Sequence, residues 1–109
     1  MSDLSELTKK LIAFRDARDW KQFHNPKDLA IALSIESAEL LEAFLWKSSN
    51  EASIEKIKEE LADVLAYALL LANEYGLDVT EIVSAKIEAN NLKYPINIAK
   101  GNAKKYNEN

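Results

Sequence analysis

The stretch Ile54-Glu55-Lys56-Ile57-Lys58-Glu59-Glu60-Leu61-Ala62-Asp63-Val64-Leu65-Ala66-Tyr67-Ala68-Leu69-Leu70-Leu71-Ala72-Asn73-Glu74-Tyr75 contains neither glycine nor proline. Its apolar side chains, Leu61, Val64, Leu65, Leu69, Leu70 and Leu71, return at three- and four-residue intervals, the period of an α-helix. The same composition extends outward. The 109-residue chain holds two Gly and two Pro in all, while Ala, Leu, Ile, Glu and Lys dominate the remainder, so helix is favoured nearly everywhere.

Upstream, a first helix is expected from Asp3 to about Asp19, with Leu4, Leu7, Leu11, Ile12 and Phe14 along one face. The segment 20–24 reads as a loop. Asn25-Pro26 then marks a helix start, with Asn as N-cap and Pro at the first helical position, where its missing N–H is no loss. That second helix is expected to reach about Trp46. The polar stretch 47–52 supplies Ser48, Ser49 and Asn50 as candidate caps for the long helix that follows. Downstream, Gly76 suits a helix C-terminus because it takes positive φ without Cβ strain, and Asp78 with Glu81 resembles a capping box. A fourth helix should then cover about 79–92, ended by Pro95, with an Asn- and Lys-rich tail over about 96–109 that needs a partner subunit to be well ordered. The expectation is all-α: a four-helix-bundle-like single domain spanning 1–109, with its helical core over about 3–92.

A chain of this size accommodates one core. Its 14 basic and 18 acidic residues give a net charge of -4, and no basic cluster is dense enough to follow a phosphate backbone, so a nucleic acid polymer is not the expected partner. The lack of cysteine excludes disulfides and thiolate metal sites. There is no run of about 18 apolar residues and no secretory pattern near Met1, so no membrane association is expected and the expected location is cytoplasmic.

The chemistry lies in two acidic pairs, Glu36-Ser37-Ala38-Glu39 and Glu60-Leu61-Ala62-Asp63. Acids three residues apart share a helix face about one turn apart, and two antiparallel helices could bring all four together. Like charges this close repel unless a cation sits among them, and an oxygen-only set suits Mg²⁺ or Mn²⁺. Most helical glutamates merely solvate a surface, and Glu55, Glu59 and Glu74 are read that way here. Glu36 and Glu39 differ, because they border the Leu29, Leu33 and Leu40 face with little Lys or Arg nearby, and Glu60 and Asp63 share their stripe with Tyr67. A di-iron bundle would need Glu-x-x-His motifs, and the lone His24 lies outside both pairs.

This succession of acidic pairs resembles the signature of the MazG-like nucleotide pyrophosphohydrolases, most closely their dCTP pyrophosphatase branch. The resemblance is carried also by Arg18-Asp19-Trp20-Lys21-Gln22-Phe23-His24, by Phe44-Leu45-Trp46-Lys47, by Glu59 to Tyr67 and by Lys86 to Pro95, in order from about residue 4 to 106. It implies an all-α nucleoside triphosphate pyrophosphatase that controls the nucleotide pool. Glu36, Glu39, Glu60 and Asp63 would bind Mg²⁺, and water would cleave between α and β phosphorus to leave a nucleoside monophosphate and pyrophosphate. Glu39 and Glu42 are both candidates for the base that takes the water's proton. Lys86, Asn90, Tyr94 and Tyr67 would bind phosphate or sugar, and Trp20, His24 and Trp46 would bind the nucleobase.

Two departures stand out. Ile35 and Ala38 occupy a region where the family often has glycine, and Lys93 replaces a frequent arginine, keeping the charge but not the bidentate fork. A phosphoribosyl-ATP pyrophosphohydrolase would use nearly the same chemistry, but the Trp20 and Trp46 blocks argue against it. A non-catalytic helical assembly module would show no Mg²⁺ dependence at all. Finally, the apolar residues of helices two and three cover more than one face each, which predicts a homo-oligomer, a tetramer built as a dimer of dimers.

Overall fold

The computed structural model describes residues 3–105, which are helical throughout apart from turns and connections. The chain divides into two compact units, Met1–Leu77 and Asp78–Asn109. The first contains α1 (Asp3–Ala17), a 3-10 turn over Lys21–Phe23, α2 (Pro26–Glu42) and α3 (Ile54–Glu74). The second contains α4 (Val79–Lys93) and the short α5 (Ile96–Ala99). An all-α fold is what the composition led us to expect.

The helix starts follow from local chemistry. Asn25 accepts a hydrogen bond from the Asp28 N–H at 2.9 Å, with Pro26 directly after it. Asp78 accepts one from the Glu81 N–H at 3.1 Å. The cap of α3 corrects the sequence reading: it is Ser53, whose hydroxyl accepts from the Lys56 N–H, and not Ser48, Ser49 or Asn50. Ser48 is otherwise engaged, its N–H donating to Glu51.

The helix ends differ from expectation in two places. α1 stops at Ala17 because Asp19 takes a left-handed φ of 54°, a conformation that an aspartate tolerates better than most residues. α2 stops at Glu42 and not near Trp46. Beyond it the amides of Ala43, Phe44 and Leu45 bond to carbonyls three residues back, which tightens the chain into turns, and Trp46 then adopts a φ of 60° that no α-helix can continue. Gly76, at φ 64°, closes α3 as anticipated. The segment after Pro95 is more regular than expected, since 96–99 forms α5. Residues 106–109 of that tail lie outside the described residues.

Within the first unit, α3 packs against α2 and, less extensively, against α1. The buried apolar residues are Leu29, Ala43, Ala52, Leu69, Leu70 and Ala72, with Leu29 the most enclosed at 1% exposure. Burying one leucine side chain stabilises a fold by about 2 kcal/mol, so three leucines and three alanines make a small core. Many large apolar residues remain outside it, among them Ile31, Ile35, Leu41 and Leu45 on or just after α2, and Leu61 and Leu65 on α3. Glu74, read from sequence as an ordinary surface acid, is half-buried, and its carboxylate lies 3.6 Å from the Arg15 guanidinium, joining α1 to α3.

Candidate functional site

Packing α2 against α3 brings Glu36, Glu60 and Asp63 together, each with a carboxylate oxygen within 4.8 Å of one from both others. Their depths differ. Glu60 is buried at 5% exposure, Glu36 is half-buried and Asp63 is exposed. Desolvation, hydrogen bonding with Glu39 and the charges of Glu39, Asp63 and Glu60 push the Glu36 carboxyl up to about 7. Glu39 therefore stands beside the group without being one of the three mutually close acids. Glu60 is held below the usual carboxylate range, chiefly because Lys56 donates to it at 2.8 Å from one helical turn earlier. Few Lys or Arg residues stand near Glu36 and Glu39 in the sequence; Glu60, by contrast, has Lys56 as an ion-pair partner on its own helix. Glu42 is exposed at the last turn of α2.

Beside the acids lies a cavity of about 340 Å³ between α1 and α3, lined by Leu11, Phe14, Arg15, Trp20, His24 and Tyr67 among others, and by Asp63. Trp20 meets the Phe14 ring edge-on at 5.7 Å, and His24 meets Tyr67 in the same manner at 6.3 Å. Tyr67 has its hydroxyl pKa raised by burial and by the negative charges of Glu36 and Asp63, so it stays a neutral donor. Asp63 belongs both to the acidic group and to the cavity wall.

Among the described residues, the buried side-chain polar atoms without a hydrogen-bond partner are Arg15 Nη1, His24 Nδ1, Glu36 Oε2 and Glu60 Oε2. Buried polar atoms are nearly always satisfied, and an orphan asks for a reason. All four belong to residues of the cavity wall or of the acidic group. Two are carboxylate oxygens from an oxygen-only donor set, which fits a hard divalent cation. The other two belong to Arg15 and His24, residues that line the cavity.

Of the remaining residues marked out by sequence, Trp46 follows α2 with 93% of its surface exposed and is not among the cavity's lining residues. Lys86 and Asn90 lie one turn apart on α4, and Tyr94 is the C-cap of that helix, its N–H donating to the Asn90 carbonyl. Phe14 and Arg15 were not singled out from sequence as site residues. The available signal was Arg15 itself: it stands four residues after Leu11 and three after Ile12, a charge placed on the apolar face of α1.

Fold and site together define an all-α protein in which carboxylates from two packed helices gather beside an aromatic cavity. The MazG-like family model matches residues 31–108, and the chain belongs to that family. It is 35% identical to dCTP pyrophosphatase 1 of Mus musculus over 113 aligned residues, which cover 96% of this chain and 66% of the mouse protein. With the Homo sapiens protein of the same name the identity is 34%, at 96% and 66% coverage. The chain thus spans just under two thirds of the length of these relatives. Among solved structures it is similar to a pyrophosphatase from Archaeoglobus fulgidus, with a TM-score of 0.80 and 42% identity over 87% of this chain and 94% of that one.

Proposed function

We propose that this chain hydrolyses nucleoside triphosphates at the α–β anhydride, releasing a nucleoside monophosphate and pyrophosphate, with deoxycytidine triphosphate or a related deoxynucleotide as substrate. The observation that carries this reading is Asp63, which joins the acidic group to the aromatic cavity. A nucleotide has the same layout, an aromatic ring at one end and a polyanion at the other. The relatives' names, dCTP pyrophosphatase and pyrophosphatase, support it.

In this reading Glu36, Glu39, Glu60 and Asp63 hold Mg²⁺, with Mn²⁺ as a substitute, and the cation supplies charge neutralisation for the phosphates. Trp20 offers an aromatic face to the base, and each stacked base gains about 1–3 kcal/mol. His24 presents its ring nitrogen to the base edge, and Tyr67 remains protonated to donate toward phosphate or sugar oxygens. Lys86, Asn90 and Tyr94 are assigned as further donors for phosphate or sugar, and Trp46 as a second base contact. A water molecule attacks phosphorus and its proton passes to a carboxylate, Glu39 or Glu42. Since the family model spans both compact units, we treat residues 1–109 as one functional domain.

The test is to incubate the protein with the deoxynucleoside triphosphates and Mg²⁺ while measuring pyrophosphate and orthophosphate separately. Equal amounts of dCMP and pyrophosphate are expected. Stepwise orthophosphate release through dCDP would refute the assignment of the cleaved bond.

A further inference from the structure

Trp20 lines the cavity although it is 44% exposed, and Phe14 beside it is 49% exposed. Burial alone therefore holds neither ring firmly. A chain of contacts that ends on Arg18, which is not among the cavity's lining residues, supplies the rest. The Arg18 guanidinium lies over the Phe14 ring, 3.7 Å from its centre and 5.9 Å from that of Trp20, and the two rings meet edge-on at 5.7 Å. The guanidinium is itself fixed. Just past the end of α1 the Arg18 N–H donates to the Arg15 carbonyl at 3.2 Å, and Arg18 Nη1 donates to the Phe14 carbonyl at 2.9 Å. The Trp20 backbone is held separately. Its N–H donates to the Arg15 carbonyl at 3.1 Å, and the Gln22 side-chain amide bonds both the carbonyl and the carboxylate of the left-handed Asp19, at 2.9 and 3.2 Å. The turn fixes where the Trp20 side chain leaves the backbone, and the Phe14 ring, backed by Arg18, fixes where the indole lies.

We propose that Arg18 is a positioning residue that acts through Phe14 to hold the Trp20 indole in place for a nucleobase before the substrate arrives. The proposal rests on the reading of the cavity as the base site. A cation over a ring face is attracted by the ring's quadrupole, and edge-on packing of that ring against a second one restricts the second in turn. An indole already held loses less freedom when a base stacks on it, so more of the stacking energy appears as affinity. An exposed cation–π contact corresponds to about a two- to fivefold change in affinity. Because the contact serves base binding, its loss should appear in KM and leave kcat nearly untouched.

The competing account is that Arg18 only caps the end of α1 through the Phe14 carbonyl. Trp20 fluorescence, read in a Trp46→Phe protein so that a single indole reports, follows the ring without any substrate. There Arg18→Met should lower the steady-state anisotropy and increase quenching by acrylamide. With Trp46 in place, kinetics with Mg²⁺ compare dCTP with 2-deoxyribose 5-triphosphate, which carries the sugar and triphosphate but no base. Arg18→Met should raise the KM for dCTP by about two- to fivefold at unchanged kcat, with no change for the base-free compound. Arg18→Lys, which keeps a cation near the ring, should fall between wild type and Arg18→Met in both measurements. Combining Arg18→Met with Phe14→Leu separates the two routes, since Phe14→Leu removes the ring but leaves the carbonyl that a cap would use. Arg18→Met should add nothing to Phe14→Leu in fluorescence or in KM.

An unchanged Trp20 signal in Arg18→Met, or an unchanged ratio of the two KM values, overturns the role of Arg18 while leaving the base site standing. Full additivity of Arg18→Met with Phe14→Leu also overturns it, in favour of the cap. An equal rise of KM for both compounds overturns it as well, because the Arg18 charge then serves the phosphates. If the wild-type protein turns over dCTP no better than the base-free compound, the reading of the cavity as a base site falls, and the role of Arg18 with it.

Discussion

At the residue level, the acidic group shows how position outweighs type. Glu36, Glu60 and Asp63 are chemically near-equivalent, yet burial and like charge raise Glu36 to about 7, while the Lys56 ammonium pulls Glu60 down. Asp63, exposed but shared between acids and cavity, is the most informative one to change. Asp63→Asn should abolish pyrophosphate release and shrink the rise in melting temperature that saturating Mg²⁺ gives, because a ligand bound by the folded state alone stabilises it by mass action. Wild-type turnover in that variant would remove Asp63 from the ligand set. A pH effect follows from Glu36. Its pKa rises on folding, from 4.5 to about 7, so it contributes stability that is complete below 4.5 and is lost as pH climbs through about 7. A divalent cation among the carboxylates competes with that proton and relieves the repulsion. The melting-temperature gain from Mg²⁺ should therefore be larger at pH 8 than at pH 5.5, and thermal scans at both values check it.

At the level of elements, boundaries are set by single side chains and by turn conformation. Ser53 caps α3 through the Lys56 N–H, and replacing such a cap by alanine costs about 1 kcal/mol. Ser53→Ala should lower the melting temperature by several degrees, whereas Ser49→Ala, which removes a residue with no capping role in α3, should leave it nearly unchanged. The end of α2 also has consequences. Had the helix continued to Trp46, its indole would follow the helix face. Instead the turns after Glu42 and the left-handed φ of 60° set the indole out in solvent. A bulky residue held there costs of order 1 kcal/mol or more, and such strain is commonly found where a side chain serves binding. If Trp46 contacts the base, Trp46→Ala should reduce discrimination among deoxynucleotides more than it reduces affinity for free pyrophosphate. Equal losses for every ligand would mark Trp46 as scaffold.

For the whole molecule, the mismatch between a small core and a long roll of exposed apolar side chains is the dominant feature. Ile31, Ile35, Leu41 and Leu45 together with Leu61 and Leu65 are large apolar side chains left exposed on or just after the two packed helices, and apolar patches exposed in this way mark contact surfaces. Self-association is the reading that this surface supports, with a dimer of dimers as the proposed arrangement. Light scattering at micromolar concentration should give the mass of an oligomer, and Ile35→Glu should shift it toward the monomer by placing a charge on the exposed face of α2. A monomeric wild-type mass with activity preserved on dilution would refute the oligomer.

What the sequence determined by itself was whatever depends on neighbours along the chain. Helical composition, the Asn25 and Asp78 caps, the Gly76 terminus and the three-residue spacing of Glu36 with Glu39 and of Glu60 with Asp63 all follow from local geometry. The choice of Ser53 over Ser48 as the cap, and the stop at Glu42, were less legible, because several residues able to cap or continue a helix stand side by side. What only the tertiary structure decided depends on which helix faces meet. Nothing in the chain's order places Arg15 and Phe14 in one cavity wall with Tyr67, ties Glu74 to Arg15, or makes Asp63 the residue shared by acids and cavity. Those contacts link residues tens of positions apart. They exist because α1 and α2 both pack on α3, an arrangement selected by burial of apolar area, which is non-directional and leaves no signature at any one position.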